Sequence, residues 1–362
     1  MADKVTIQDI ADALGLSRNT VSKAINNTGV LAEATRDKIL RKAVEMGYKQ
    51  FSYVKLPDAG KENGFIELSS EALSKEGVIS FLIGHNLGSS HFASTMLDRL
   101  QRELSGQGYS SMTYRVTKEH IKSLTLPSGF SPPRSDGILC IEIFDPDYAE
   151  LICSQGKPTL FVDGPSAYVG KKLQADLLLM DNRTELSTFV AQMIEKGITS
   201  FGFIGEIYHC ISFYERYLAL RETLMRHSIP FDKTYLLSTT SGRENWRETY
   251  QIYTDYLADR LKGLSSLPQV FLCTNDFIAI DALKCFRKLG IRVPEDVLLC
   301  GFDDSPESRV ITPRLTTVHI HSQIMGYTAA SLLLSRIREP SLNLRTVHTE
   351  TTLHLRESTR LP

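Results

Sequence analysis

Three apolar, strand-like runs in this chain end on carboxylates or a carboxamide. "PTLFVDGP" stops at Asp163, "QVFLCTND" at Asn275 and Asp276, and "VLLCGFDD" at Asp303 and Asp304. Such groups at the carboxyl ends of parallel strands can hold a polar ligand, because open α/β sheets leave their crevice there. A single strand-end aspartate can equally cap the next helix or fix a turn. Several in one chain favour a shared polar cleft. Arg216, on the amphipathic stretch after "FIGE", would bring a forked donor to that cleft, or else an ion pair to a helix surface.

A second set of residues suited to recognition lies near the N-terminus, in "IADALGLSRNTVSKAIN". Arg18, Asn19, Ser22 and Lys23 fall on the polar side of one short helix. Arg and Lys can donate to guanine, and Asn can pair with adenine. Thr20, Thr35 and Arg36 carry side chains suited to phosphate oxygens. Residues 1–50 hold eight Lys and Arg against six Asp and Glu, a net of +2. So small a field leaves the DNA reading to rest on pattern. The competing reading is a small helical bundle with a solvated polar face.

The elements needed to position both sets are legible. Thr6 can cap a helix in which Ile7, Ile10, Ala11 and Leu14 share a face, and Gly15 can end it in the left-handed conformation. Ser17 can cap a second helix whose Val21, Ala24 and Ile25 turn inward, and Ala34–Met46 repeats the helical spacing. Two short helices joined by a glycine turn and braced by a third make a helix-turn-helix. In that motif the second helix enters the major groove. From Val78 the texture changes to apolar runs ("VISFLIG", "GILCIEIF", "SFGFIG") alternating with amphipathic stretches near 92–106, 148–154, 214–227 and 278–289. That alternation predicts parallel sheets covered by helices, and the length suffices for two such sheets.

Composition excludes several classes. A 42% hydrophobic and 23% charged chain is an ordinary globular one, and no apolar run reaches membrane-spanning length. The N-terminus lacks the apolar stretch of a signal peptide, so a cytoplasmic protein without membrane partners is expected. The six cysteines are scattered without a Cys-x-x-Cys pair, which reads as small buried hydrophobes rather than disulfides or a metal centre. There is no phosphate loop, no Gly-x-Ser-x-Gly elbow, no metal-spaced histidine pair and no complete dinucleotide fingerprint. The expectation is no catalytic residue, no metal and no cofactor.

"VTIQDIADALGLSRNTVSKAINNTGVLAEATRDKILRKAVEMGY" closely resembles the headpiece of the LacI/GalR family of bacterial transcription regulators. The resemblance rests on Thr-Ile-x-Asp-Ile-Ala, Gly-Leu-Ser, Thr-Val-Ser-Lys, Thr-Arg and Gly-Tyr. It implies that Arg18, Asn19 and Lys23 read bases, with Ser17, Thr20, Asn26, Thr35 and Arg36 at phosphate-contacting positions. Thr6 and Ser22 complete the DNA-binding set. "LLLMDNRTELSTFVAQMIEKGITSFGFIG" and "VFLCTNDFIAIDALKCFRKLGIRVPEDVLLCGFDDSPESRVITPRLTTVHIHSQIMGYTAASLLL" extend the likeness over most of the chain, and "LHLREST" resembles the family's closing strand. The implied architecture is multidomain: an all-α headpiece at 1–50, an atypical linker at 51–77, and a type I periplasmic-binding-protein-like core at 78–362. Its two parallel-sheet subdomains would take about 78–181 with 312–339, and about 182–311 with 340–362. By the same resemblance Asp163, Arg216, Asn275 and Asp303 hold the effector, and His91 and Phe92 cover the cleft. Trp246 lies near a position where relatives set an aromatic ring against a sugar, and ordinary packing is its alternative.

The sequence departs from the family at Glu185 and at Gly197-Ile198, where relatives carry Gly and Gly-His, and at Cys210 and Ile320, which replace polar residues. The linker lacks Pro-Asn and sets Pro57 where a wedge leucine is expected, so the usual hinge helix is not expected; Leu56 and Leu73 are the substitute wedges. The function implied is a ligand-responsive repressor of carbohydrate-utilisation genes. It would act as a homodimer on a pseudo-palindromic double-stranded operator, controlled by a sugar or related small molecule. With no heptad-bearing tail after "LHLREST", a dimer through the α/β cores is expected rather than a tetramer. The alternatives are a sugar-binding receptor, or a sugar-processing enzyme using the strand-end carboxylates.

Overall fold

The computed structural model describes residues 5–26, 31–46, 48, 77–84, 91–238 and 250–361. Leu56, Pro57, Leu73 and Trp246 lie outside the described residues, as do the side chains of Asn26, His91 and Phe92.

The headpiece is three helices, α1 (Ile7–Leu14), α2 (Arg18–Asn26) and α3 (Glu33–Glu45). Thr6 caps α1 through a reciprocal box: its Oγ1 accepts from Asp9 N at 3.3 Å, and Asp9 Oδ2 accepts from Thr6 N at 2.7 Å. Gly15 ends α1 at φ 63°, a conformation that costs any residue with a Cβ. Ile10, Ala11, Val21, Ala24, Ile25, Ile39, Leu40 and Ala43 bury their side chains together, as the spacing requires.

The rest is α/β. In chain order come β1 (Gly77–Ile83), α4 (His91–Ser105), β2 (Tyr109–Arg115), α5 (Lys118–Ser123), β3 (Gly137–Ile141), α6 (Pro146–Cys153), β4 (Thr159–Val162) and β5 (Asp176–Met180). There follow α7 (Thr184–Glu195), β6 (Phe201–Ile204), α8 (Ile211–Arg226), β7 (Leu236–Leu237), α9 (Tyr250–Lys262), β8 (Val270–Cys273), α10 (Asp276–Lys288) and β9 (Leu298–Cys300). The chain closes with β10 (Thr317–Ile320), α11 (Ser322–Arg338), β11 (Thr346–Thr349) and β12 (Thr351–His354). One parallel sheet runs β11-β5-β4-β3-β1-β2 and the other β7-β6-β8-β9, while β10 and β12 form an antiparallel pair. β3, β4 and β5 are buried along their whole length, hence their near-continuous apolar sequences. β2 is an edge strand with alternating burial, and for that reason carries no such run.

The subdomain crossovers differ from the sequence expectation. β11 pairs with β5 in the first sheet, so the return to the second subdomain falls near Glu350 rather than at 340. β10 continues from β9 through the bridges Cys300↔Thr316 and Asp303↔His319, so the earlier crossing falls between β10 and α11 rather than at 312. The physical reason is coverage: α11 packs on α4 and on β3, β4 and β5, and β11 closes the edge of that same sheet.

Two buried carboxylates hold these crossings. Asp176, fully buried, accepts from Arg336 Nη2 and Arg345 Nη2, both at 2.7 Å, and from Arg345 N at 2.8 Å. It thereby joins β5 to α11 and to the segment entering β11. Burial acts to raise this carboxyl, but the hydrogen bonds from Arg336 and Arg345 outweigh it and hold it below its usual value. Asp276 accepts from Thr317 Oγ1 at 2.6 Å and from Ser305 N at 2.7 Å, tying the start of α10 to β10 and to the loop between. Here burial wins, helped by the charge of Asp303, and the carboxyl is pushed up to about 8.

Asp176→Ala should cost about 3–5 kcal/mol, because the buried Arg336 guanidinium loses its counter-charge and the half-buried Arg345 loses its partner; urea unfolding reads it, and a loss below ~1 kcal/mol contradicts this role. Asp276 acts in the opposite sense with pH. Its folded form keeps a proton that the unfolded chain releases near pH ~4. The stability it contributes is therefore full below pH ~4 and is lost as pH rises through about 8. Unfolding midpoints across that window should decline less steeply in Asp276→Asn than in the parent, and equal slopes would contradict the assignment.

Candidate functional site

The polar face of α2 is set by what its other face buries. With Val21, Ala24 and Ile25 packed inward, Arg18, Asn19 and Lys23 stand exposed, and Thr20 and Ser22 are half-buried beside them. Ser17 starts the helix: its Oγ accepts from Thr20 N at 3.1 Å and lies 2.8 Å from Thr20 Oγ1. Thr35 and Arg36 sit half-buried in the first turn of α3. One contact has no counterpart in the sequence reading. Ile324 of α11, 1% exposed, is part of the headpiece core, and Tyr327 packs against it. Only the docking of the headpiece on the core brings these together, and nothing in the local pattern of α11 signals it.

The second site forms where strand ends of the two sheets approach. Asp163 follows β4 with φ 59°, and its Oδ1 accepts from Gly164 N at 2.7 Å and from Ser212 N at 3.3 Å. It thus reaches from the first sheet to the start of α8 in the second subdomain. Burial raises its carboxyl, against hydrogen bonds from Gly164, Cys210 and Ser212 and the charge of Arg216. Arg216 is itself 2% exposed. Its Nε donates to Asn182 Oδ1 at 3.0 Å and its Nη1 to the Thr274 carbonyl at 2.6 Å, while Asp303 Oδ1 lies 3.7 Å from Nη1. The guanidinium carbon stands 3.5 Å from the Phe302 ring centroid. A planar cation stacked on one ring and anchored on two sides has a fixed fork direction.

Asp163, Arg216 and Asp303 are therefore brought together, and the charges of Asp303 and Asp163 both act on Arg216. Asn275 stands one residue from Thr274, but its Oδ1 is spent as the cap of α10, accepting from Ile278 N at 3.0 Å. Asp304 faces elsewhere, into Arg309, Arg356 and His319. Sequence reasoning missed Asn182, which positions Arg216 and donates to Glu215 Oε2 at 2.9 Å, and the Phe302 platform. "LLLMDN" carries the same strand-then-polar signal as the other runs and could have found Asn182. The aromatic run Phe144, His209 and Phe213, with ring centroids 4.8 and 5.4 Å apart, lies on segments after β3 and β6 that only folding brings together.

Among the departures, Glu185 accepts from Leu353 N at 3.3 Å, and Cys210 and Ile320 are buried. Five of the six cysteines are buried and none is in a disulfide. Among the described residues, no helix is long and apolar enough to cross a membrane.

Residues 6–50 match the model for bacterial regulatory proteins of the lacI family, and residues 190–359 match that for a periplasmic binding protein-like domain. Over 361 residues the chain is 28% identical to the probable HTH-type transcriptional repressor ExuR of Bacillus subtilis (strain 168), covering 98% of both chains. It is 26% identical over 342 residues to the HTH-type transcriptional repressor PurR of Haemophilus influenzae, covering 92% of this chain and 91% of the relative. Among solved structures, the complex of the transcriptional regulator CelR with cellobiose aligns at a TM-score of 0.65 and 23% identity, over 98% of this chain and 100% of that one. The lac repressor dimer bound to operator and the anti-inducer ONPF aligns at 0.63 and 17%, over 99% of each. These curated relatives are transcriptional regulators rather than enzymes. The chain thus pairs a helix-turn-helix of the lacI family with a periplasmic-binding-protein-like domain, and the relatives it matches over nearly all of its length are transcriptional repressors.

Proposed function

We propose that the chain is an effector-responsive repressor, in which a sugar or related polyol seated between the two sheets controls operator binding by the headpiece. The observation that carries this reading is the Arg216 fork, stacked on Phe302 and facing Asp303 where strand ends of both subdomains meet. A guanidinium beside a carboxylate suits adjacent hydroxyl groups, which offer a donor and an acceptor together. Asp163 and the free edge of Asn275 would complete the polar wall, with Phe144, His209 and Phe213 as the apolar one. His91, Phe92 and Trp246 keep the places that the resemblance gives them. The protein would work in the cytoplasm, where its double-stranded target lies, as a homodimer joined through the α/β cores.

On the DNA side, Arg18, Asn19 and Lys23 supply base discrimination, and Thr6, Ser17, Thr20, Ser22, Asn26, Thr35 and Arg36 fix the headpiece on the backbone. Ligand and DNA influence one another only as far as the effector binds one arrangement of the subdomains more tightly than the other.

Arg18→Ala or Lys23→Ala should each cost about 1–3 kcal/mol on a selected operator and relax preference at one position, whereas Arg36→Ala should weaken all sequences evenly and lower the salt slope. Quantitative gel shifts over a randomised operator library decide this, and unchanged profiles for Arg18→Ala and Lys23→Ala would sink it. Sugars and sugar acids screened by thermal shift should identify the effector. Asp303→Ala and Arg216→Ala should then lose its binding, each leaving buried partners unpaired at about 1–3 kcal/mol, while operator binding persists. Parental effector affinity in both variants, by calorimetry, would remove the cleft assignment.

A further inference from the structure

The antiparallel pair β10–β12 carries a cluster of imidazoles that neither DNA binding nor the cleft uses. His319 lies in β10, His321 follows that strand directly, and His354 ends β12. A spacing of two puts His319 and His321 on one face of extended chain. The register His319↔Thr352 and Thr317↔His354 sets His354 diagonally across from His319. Ring centroids are 4.9 Å apart for His319 and His321, and 5.8 Å for His319 and His354. With Asp304, Arg309 and Arg356 these rings line a cavity of about 360 Å³. Ligand atoms of Asp304, His319 and His354 all come within 4.8 Å of one another.

The protons follow from the partners. Asp304 is engaged by Arg309 and Arg356 as well as by His319. An ionised carboxylate 2.9 Å from His319 Nδ1 assigns the proton to that nitrogen. His319 Nε2, the ring's other nitrogen, is buried without a hydrogen-bond partner. His321 Nδ1 is buried without a partner as well, while its Nε2 meets Thr352 Oγ1 at 3.0 Å. Two buried, unpaired ring nitrogens in one cluster call for a missing partner. A carboxylate on one imidazole nitrogen with the other left open is the arrangement that orients a metal-binding histidine.

We propose that His319 and His354 bind a divalent transition-metal ion of the zinc or nickel kind, with Asp304 orienting His319. The surrounding charge selects the class. Arg309 and Arg356 are engaged on Asp304, and Arg314 Nε donates to Glu357 Oε1 at 2.8 Å. Magnesium or calcium would need several free carboxylate oxygens, which these arginines occupy. An anion would have to displace guanidinium groups already paired with carboxylates. Neutral imidazoles remain, and they suit zinc, nickel and copper. The sequence reading passed over "HIH" because a two-residue step places both rings together only on extended chain.

The test is competition for Zn²⁺ and Ni²⁺ between the tag-free, full-length chain and a chromophoric chelator, with far-UV circular dichroism on every variant. The parent chain should take one equivalent. His319→Ala and His354→Gln should each weaken uptake at least about tenfold, Asp304→Asn roughly 10–100-fold, and His227→Ala, exposed at the far end of α8, should not change it. His354 is 42% exposed, so His354→Gln decides the matter if His319→Ala fails to fold. A parent chain that leaves both metals with the chelator overturns the site, as does a folded His354→Gln chain that binds as tightly as the parent.

Discussion

Arg216 is a cation with almost no access to water, and an unpaired guanidinium in that position would cost several kcal/mol. Its neighbours are arranged around that cost. Asn182 and the Thr274 carbonyl take two of its donors, Phe302 lies under its plane, and Asp303 supplies the opposite charge at the open side. These partners come from the ends of different strands, so one side chain fixes the relative placement of β5, β8 and β9 through the segments that follow them. The cleft is thereby built around a preorganised donor rather than around a flexible one.

From Asp303 the chain path to the headpiece is short. Asp303 is bridged to His319 in β10, β10 runs directly into α11, and α11 carries Ile324 into the headpiece core. α11 is firmly seated: a Cβ on Gly326 would come within 2.4 Å of the Met96 carbonyl oxygen, so α11 and α4 lie backbone against side-chain-free backbone there. A displacement at β10 would accordingly move α11 and α4 together. The Asp176 carboxylate, shared by Arg336 and Arg345, anchors the other end of α11 to the first sheet. The coupling proposed between effector and operator thus has a continuous covalent and packed route, with the imidazole cluster of β10 and β12 lying alongside it.

The polar residues at the strand ends illustrate how one sequence signal divides among several duties. Asp163 and Asp303 face Arg216, Asn275 caps a helix, Asp276 ties a loop, and Asp304 pairs with two arginines and a histidine. All follow apolar strands, and nothing in their immediate neighbours separates one duty from another. The separation depends on which helix N-terminus or guanidinium reaches each carboxylate, which is a property of packing.

Local sequence determined the headpiece almost completely, because its cap, its glycine turn and its apolar spacing all act within a few residues. It also determined the alternation of buried strands and amphipathic helices, since burial on both faces demands uninterrupted apolar runs, and it supplied Asp163, Arg216 and Asp303 as candidates. Tertiary structure decided what depends on distant partners. β11 joined the first sheet because only there does it find the edge of β5, and β2 escaped notice because an exposed edge asks for no apolar run. Asn182, Phe302 and Ile324 took their roles from groups far away in sequence. The three histidines met for the same reason: strand pairing across more than thirty residues, which no local spacing encodes, brought His354 beside His319.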